Sequence, residues 1–255
     1  MQLSAIIITR NEQSQILDCL AALDFADEVI VVDNASADNT AELARQWGAK
    51  VHVAPDWPGF GPQKNRVLAL ATGDWVLSVD ADERISPALR AEILHVIARP
   101  VGPVAYRFPR LSSYCGQFMR HSGWYPDRVL RLFRRGQAKF SEDLVHERVL
   151  TQGQVADLSE PLVHLSFPDF ESVLDKVNRY STAGSQAMVT KGKNASLTAA
   201  VGHGLWAFFR TYVLRRGFLD GQLGLALAIS NAEGTYYRYA KRWLHERCKA
   251  DQHNG

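Results

Sequence analysis

Two hydrophobic periods take turns along the first hundred residues, and this alternation leaves the chain few folds to choose from. Leu3–Ile8 is a short apolar run rich in β-branched residues, the mark of a strand buried on both faces. From Ser14 the period becomes helical, with Ile16, Leu17, Leu20 and Leu23 predicted on one face. A second buried strand follows at Val29–Val32. Asn39, with Glu42 at capping-box spacing, predicts a helix that stops at Gly48. Val51–Val53 reads as a third strand. "GFGPQKNRVLALATG" supplies a glycine loop, a Pro62 suited to a first helical turn, and a terminating Gly73. Trp75–Val79 is the fourth strand, and Ser86-Pro87 opens a helix that runs to about Ala98. Short connections between alternating strands and helices mean parallel strands and right-handed crossovers. The predicted fold class is therefore α/β, with a doubly wound, mostly parallel sheet.

Such sheets bind ligands beyond the carboxyl ends of their strands. That rule selects "TRNE" after the first strand, "DNAS" after the second and "DADE" after the fourth. Charge divides the chain in a related way. Residues 1–98 carry 7 basic and 14 acidic side chains, residues 99–165 carry 10 and 6, and residues 166–255 carry 12 and 7. An acidic front and a basic back suggest two functional zones. The acidic front excludes nucleic acid as the main ligand, because a phosphate backbone needs a cationic track. Cys19, Cys115 and Cys248 are far apart and form no C-x-x-C, which argues against a disulfide framework or zinc site and for a reducing compartment. The N-terminus lacks the basic start and long apolar core of a secretory signal, and no stretch reaches 18 uncharged apolar residues. A cytoplasmic chain without a membrane span is the expectation.

The remaining chain is less regular up to residue 165, with strands expected around Val104–Pro109 and Val129–Phe133, and wholly helical from Phe170. Within the acidic front, Asp80 and Asp82 stand two residues apart where a strand gives way to a loop. Both can face one point, and hard oxygen ligands there suit Mg²⁺ or Mn²⁺ with positions left open for substrate phosphates. The competing reading is that these acids cap the next helix, although Ser86 already supplies that cap. Asp33, closing "VIVVD", is placed to accept hydrogen bonds from a base or a ribose; as an alternative it is a turn aspartate beside Asn34 and Ser36. Lys64 suits a phosphate or a plain surface position.

Taken in order, "AIIITRNE", "VIVVDNASADNT" and "GPQKNRVLALATGDWVLSVDADE" resemble the nucleotide-sugar domain of family-2 inverting glycosyltransferases of the GT-A fold. "HSGWYPDRVLRLFRRG", "FSEDLVHERV" and "PLVHLSF" look like the bacterial lipopolysaccharide inner-core β-1,4-glucosyltransferases, whose length and helical tail are similar. The resemblance implies a catalytic domain over 1–168, with a nucleotide-sugar half (1–98) and an acceptor half (99–168), and a helical region over 169–255. It implies a UDP-sugar pocket of Thr9, Asn11, Glu12, Asp33, Lys64, Asn65 and Asp80, and a divalent metal on Asp80 and Asp82. In "SEDLVHERV" the general base is sought among Glu142, Asp143, His146 and Glu147. Glu147 is the first choice, with His146 as orienting partner and Asp143 as rival. The implied acceptor is a heptose of the lipopolysaccharide inner core. Trp124 and Tyr125 are candidates for a sugar platform, and Arg128 and Arg131 for an anionic acceptor; core rings and surface arginines are the alternatives.

"HGLWAFFRTYVLRRGFL", residues 203–219, mixes large aromatics with arginines, as helices do that lie on an anionic membrane surface. Packing on the catalytic domain or in a homodimer is the alternative. The expected protein is thus a peripheral enzyme on the inner face of the bacterial inner membrane. Two rivals carry other features. A sugar nucleotidylyltransferase wants a glycine-rich loop after the first strand, where "TRNEQSQ" has none; a membrane-associated scaffold without turnover would not need the acids.

Overall fold

The structure, a computed structural model, describes residues 2–142 and 147–253, with side chains as far as Cys248. The apolar runs form strands β1 (Leu3–Thr9), β2 (Glu28–Asp33), β3 (Lys50–Val53) and β4 (Trp75–Ser78), all parallel, with β1 between β2 and β4. Both faces of β1 are buried. Leu3, Ala5 and Ile7 join one cluster with Trp75 and Leu77, while Ile6 joins a second with Val76 and Phe133. Burial on both sides is why these strands read as continuous apolar runs.

The crossovers are α1 (Ile16–Ala21), α2 (Thr40–Trp47) and α3 (Phe60–Leu68), followed by α4 (Pro87–Ile97). In α1, Ile16 and Leu20 point inward as predicted and Leu23 is buried just beyond the helix; Leu17 alone of the predicted face is exposed, and Cys19 is buried in addition. The capping box at Asn39 does not form. Asp38 accepts from the Thr40 amide instead, and Glu42 turns to Gln46 and Arg45. Gly48 does end α2, in the left-handed conformation at φ +106°. Gly73 lies beyond the end of α3 rather than closing it, and it is small for another reason. A Cβ there would come within 2.7 Å of the Ser4 hydroxyl and 2.9 Å of the Gln2 carbonyl. Ser86 caps α4 through the Leu89 amide, with Pro87 in the first turn.

After this parallel half the sheet turns antiparallel. The later strands are β5 (Glu83–Arg84), β6 (Ala105–Tyr114), β7 (Gln117–Phe118), β8 (Asp127–Arg134), β9 (Ala138–Phe140), β10 (Val149–Thr151), β11 (Val155–Asp157) and β12 (Leu162–Phe167). The main sheet runs β3-β2-β1-β4-β8-β6-β12-β5, with β8 antiparallel to both β4 and β6. The expected doubly wound α/β sheet is present, and its parallel character belongs to the first four strands and to the short pairing of β11 with β6.

Two compact units divide the chain, residues 1–111 with 127–164 and residues 112–126 with 165–255. The predicted boundary near 168 left 112–126 in the first of these. That segment instead belongs to the helical unit, where Tyr114 and Trp124 pack edge-to-face and both rings meet Phe167. The second unit holds α5 (Phe170–Thr190), α6 (Leu197–Phe209) and α7 (Gly221–His253), with a π turn at Arg210–Leu214 and a 3₁₀ turn at Gly217–Asp220 between the last two. Asp220 is buried there and accepts from the amides of Arg120 and His121 and the hydroxyl of Ser122. Among the described residues no helix is long and apolar enough to cross a membrane.

Candidate active site

In the first unit the parallel strands deliver their polar ends side by side, Thr9 of β1 in register with Asp33 of β2, and Val79 bonded to Ile6 just before the acidic loop. Thr9 is buried, and its hydroxyl has no partner among the described residues, an orphaned donor at the ligand end of the sheet. Asp33 is also buried. Its carboxylate accepts from the Ser36 amide (2.9 Å) and the Ser36 hydroxyl, so the turn role weighed for it is the one displayed. Asn11, at φ +56°, accepts from the Ala37 amide and links this turn to the first loop.

The loop after β4 is built around compensated charge. Asp80 accepts from Lys64 (2.9 Å) on one oxygen and from Arg131 on the other. Burial raises the Asp80 pKa, but Arg131 and Lys64 outweigh it and hold the carboxyl well below the usual range. Arg131 also reaches Glu83 (2.6 Å), a residue with no exposed surface whose other oxygen accepts from the Asp80 amide. Burial pushes the Glu83 carboxyl up; Arg131 opposes the rise and the charge of Asp80 adds to it. Arg131 was expected at an anionic acceptor. The structure corrects this: it is a buried cation inside the acidic loop, where two carboxylates would otherwise repel.

Asp80 was also expected on the metal, and both its oxygens are already taken by cations. Asp82 is about as exposed as Asp80 but pairs with no lysine or arginine among the described residues. Its Oδ2 lies 3.1 Å from Nε2 of His164 on β12, a residue of "PLVHLSF" that sequence gave no role. Glu12 responds to the same surplus of negative charge. Burial, then Asp82 and Asp38, lift its pKa to about 7 although Arg84 pulls it down. Arg84 braces the loop from below, donating to the carbonyls of Ala81 and Gln15.

The Asp82 carboxylate and the His164 imidazole, beside a Glu12 carboxyl raised by burial and by the neighbouring acids, could hold a divalent cation such as Mn²⁺. Among the described residues no three His, Cys, Asp or Glu side chains converge on one point. A Mg²⁺ or Mn²⁺ ion held there by two side chains would need substrate oxygens to complete its coordination.

Lys64 is buried and pairs with Glu147 (2.7 Å) as well as Asp80, so one ammonium joins the acid loop to the residue favoured as base. His146 and Asp143 lie outside the described residues. Asn65 is not turned to a ligand: its amide donates to and accepts from the backbone of Phe140, at 2.9 Å each way, stitching α3 to β9. Arg128 donates to the Leu158 carbonyl and faces Asp157 at 3.5 Å. Trp124 and Tyr125 fall in the second unit, Trp124 in its aromatic cluster and Tyr125 under the Arg120 guanidinium.

The model of the family described as Glycosyl transferase family 2 matches residues 4–151, which hold every one of the strand-end acids above. The chain belongs to glycosyl transferase family 2. It is 31% identical over 252 residues to an uncharacterised glycosyltransferase of Rickettsia typhi, covering 94% of this chain and 86% of that one. It is also 29% identical over 259 residues to the lipopolysaccharide core biosynthesis glycosyltransferase LpsC of Rhizobium meliloti, with 94% of each chain covered. Among solved structures, S. aureus TarS 1–349 in complex with UDP-GlcNAc is similar at a TM-score of 0.49 and 17% identity, over 92% of this chain and 80% of that one. This glycosyltransferase is accordingly an enzyme of sugar transfer, and the nucleotidylyltransferase and scaffold alternatives fall away.

Proposed function

We propose that this family 2 glycosyltransferase moves a hexose, glucose in the first instance, from a UDP-sugar to a heptose of the lipopolysaccharide inner core, with inversion. The observation that carries the reading is the chain of paired charges Glu147–Lys64–Asp80 at the ligand end of the parallel sheet, with Asp82 and His164 alongside. Full-length similarity to a lipopolysaccharide core enzyme supports the acceptor class.

Thr9 and Asp33 bind the base or ribose, the Thr9 hydroxyl having no other partner among the described residues. Asp82 and His164 would hold a Mg²⁺ or Mn²⁺ ion. When bound, the ion supplies Lewis-acid charge for the departing diphosphate. The acceptor hydroxyl oxygen forms its bond to the anomeric carbon as the bond from that carbon to the diphosphate oxygen breaks. The hydroxyl proton goes to the Glu147 carboxylate, and UDP leaves. Lys64 positions Glu147 and keeps it at the site. Arg131 and Glu83 fix the acid loop from inside.

The second unit brings the enzyme to a lipid-linked acceptor by peripheral contact with the anionic inner face of the inner membrane. Supporting this, α6 turns Leu197, Val201, Leu205, Trp206 and Phe209 outward, and Leu205 is 67% exposed.

The test is transfer from UDP-glucose to a heptose-terminated core acceptor with Mn²⁺. Wild type releases UDP and forms a β-linked product. Asp82→Ala and His164→Ala each lower turnover at least a hundredfold, and Glu147→Gln lowers kcat with UDP binding retained. Full activity in Asp82→Ala, or in wild type freed of divalent ions by chelation, refutes the metal assignment; an α-linked product refutes direct displacement.

A further inference from the structure

The second unit contains a cavity of about 520 Å³ whose walls carry four cations, Lys176, Arg210, Arg215 and Arg238, and no carboxylate. Among the described residues, none of the three guanidinium groups has an ion-pair partner. In a chain with nearly balanced charge, three exposed guanidinium groups around one hollow that no carboxylate lines give it a positive field that favours an anion.

The hollow is built rather than accidental. Arg215 lies against Gly123, at φ +79°, and Arg238 lies against Gly184, where an added Cβ would fall 2.6 Å from the arginine Nε. At both places the side chain occupies the space a larger residue would fill. Glycine is thus the condition for each guanidinium to lie along the wall. Lys176 holds its ammonium 4.5 Å from the centre of the Phe167 ring, which fixes a flexible side chain at the rim. The rest of the lining is of two kinds. Aromatic faces come from Trp124, Phe167 and Tyr180; buried hydroxyls come from Ser181, Thr211 and Ser230.

Cations together with ring faces and hydroxyls match one ligand chemistry, a phosphate carried on a polyhydroxyl body. Guanidinium groups bind phosphate oxygens in pairs, and an aromatic face packs on the C–H face of a pyranose. The volume lies within the range of small-molecule sites. We infer that this cavity is an anion site for a phosphomonoester, presented on a saccharide or on a lipid headgroup. All of its walls belong to the helical unit, so it is separate from the residues assigned to the donor.

The probes are glucose 6-phosphate, glucose, and vesicles of phosphatidylcholine with or without phosphatidic acid, all with UDP present to fill the donor site. Glucose 6-phosphate should bind saturably by calorimetry and at least tenfold more tightly than glucose. Arg215→Gln combined with Arg238→Gln should weaken it at least tenfold, with UDP affinity unchanged. Arg210 is exposed, so Arg210→Gln keeps the fold and should still weaken binding severalfold. Gly184→Val, which moves Arg238 without removing its charge, should act in the same direction. Binding of phosphatidic acid vesicles that depends on these arginines and is displaced by glucose 6-phosphate assigns the headgroup as the source. Binding of the sugar phosphate alone assigns a saccharide. Equal affinity for glucose and its phosphate, loss of binding when UDP is added, or unchanged binding in Arg210→Gln and the double variant overturns the inference.

Discussion

Arg131 sits where burial and charge are hardest to reconcile: it is almost without exposed surface and holds Asp80 and Glu83 together. A buried pair that loses one partner leaves an uncompensated charge, which costs about 3–5 kcal/mol. Arg131→Met should therefore destabilise the protein by that order in urea unfolding, and adding Glu83→Gln should recover part of the loss. A single variant as stable as wild type would show that the pair holds nothing. Sequence offered this arginine, within "DRVLRLFRRG", to an anionic acceptor, with a surface position as the alternative. In a sheet covered on both faces, alternation does not say which basic residue goes inside, and only the pairing of β8 with β4 brings it to the acids. Asp80 and Asp82 were legible as acids that need a cation. Which of the two is already neutralised was not, because Lys64 and Arg131 arrive from distant positions in the chain.

At the scale of an element, α6 shows two different stripes. Ala200, Gly204 and Ala207 are buried, and a Cβ on Gly204 would stand 3.3 Å from the Ala232 carbonyl on α7. Small residues let the two helices approach, so the large ones are left facing outward. Replacing Leu205, Trp206 and Phe209 together by Ser should leave helix content unchanged and lower co-sedimentation with anionic vesicles at least tenfold. If the same change instead converts a dimer to a monomer without altering vesicle binding, the face is a subunit contact. The aromatic and basic residues of 203–219 were visible in the sequence. The small-residue stripe that decides which side is inner was not read there, because it becomes meaningful only against a partner helix.

For the whole molecule, Glu28 ties the parallel half of the sheet together. Its carboxylate accepts from Ser4 on β1, from the Thr72 amide and hydroxyl ahead of β4, and from Lys50 on β3. Burial raises its pKa, but the bonds from Lys50, Ser4 and Thr72 prevail and lower it from 4.5 to about 2. A folded pKa below the unfolded one means that the stabilisation is present above pH 4.5 and is lost as pH falls toward 2. Glu28→Gln should cost on the order of 2 kcal/mol at pH 7 and converge on wild type near pH 2, as read from urea midpoints across that range. A pH-independent difference would mean that packing, not ionisation, is what the glutamate supplies.

The sequence by itself determined the parallel half of the fold and the stretch where chemistry gathers. Strand and helix periods are local properties, and ligand ends follow from strand direction alone. Family membership was legible for the same reason, since its motifs are contiguous. The tertiary structure decided the partners: Arg131 to the buried acids, Asn65 to the backbone of Phe140, His164 to Asp82, and 112–126 to the helical unit. Each of these is a contact between residues far apart in the chain. No periodicity records such contacts; they exist only once burial has forced every charged or polar group inside to find a complement.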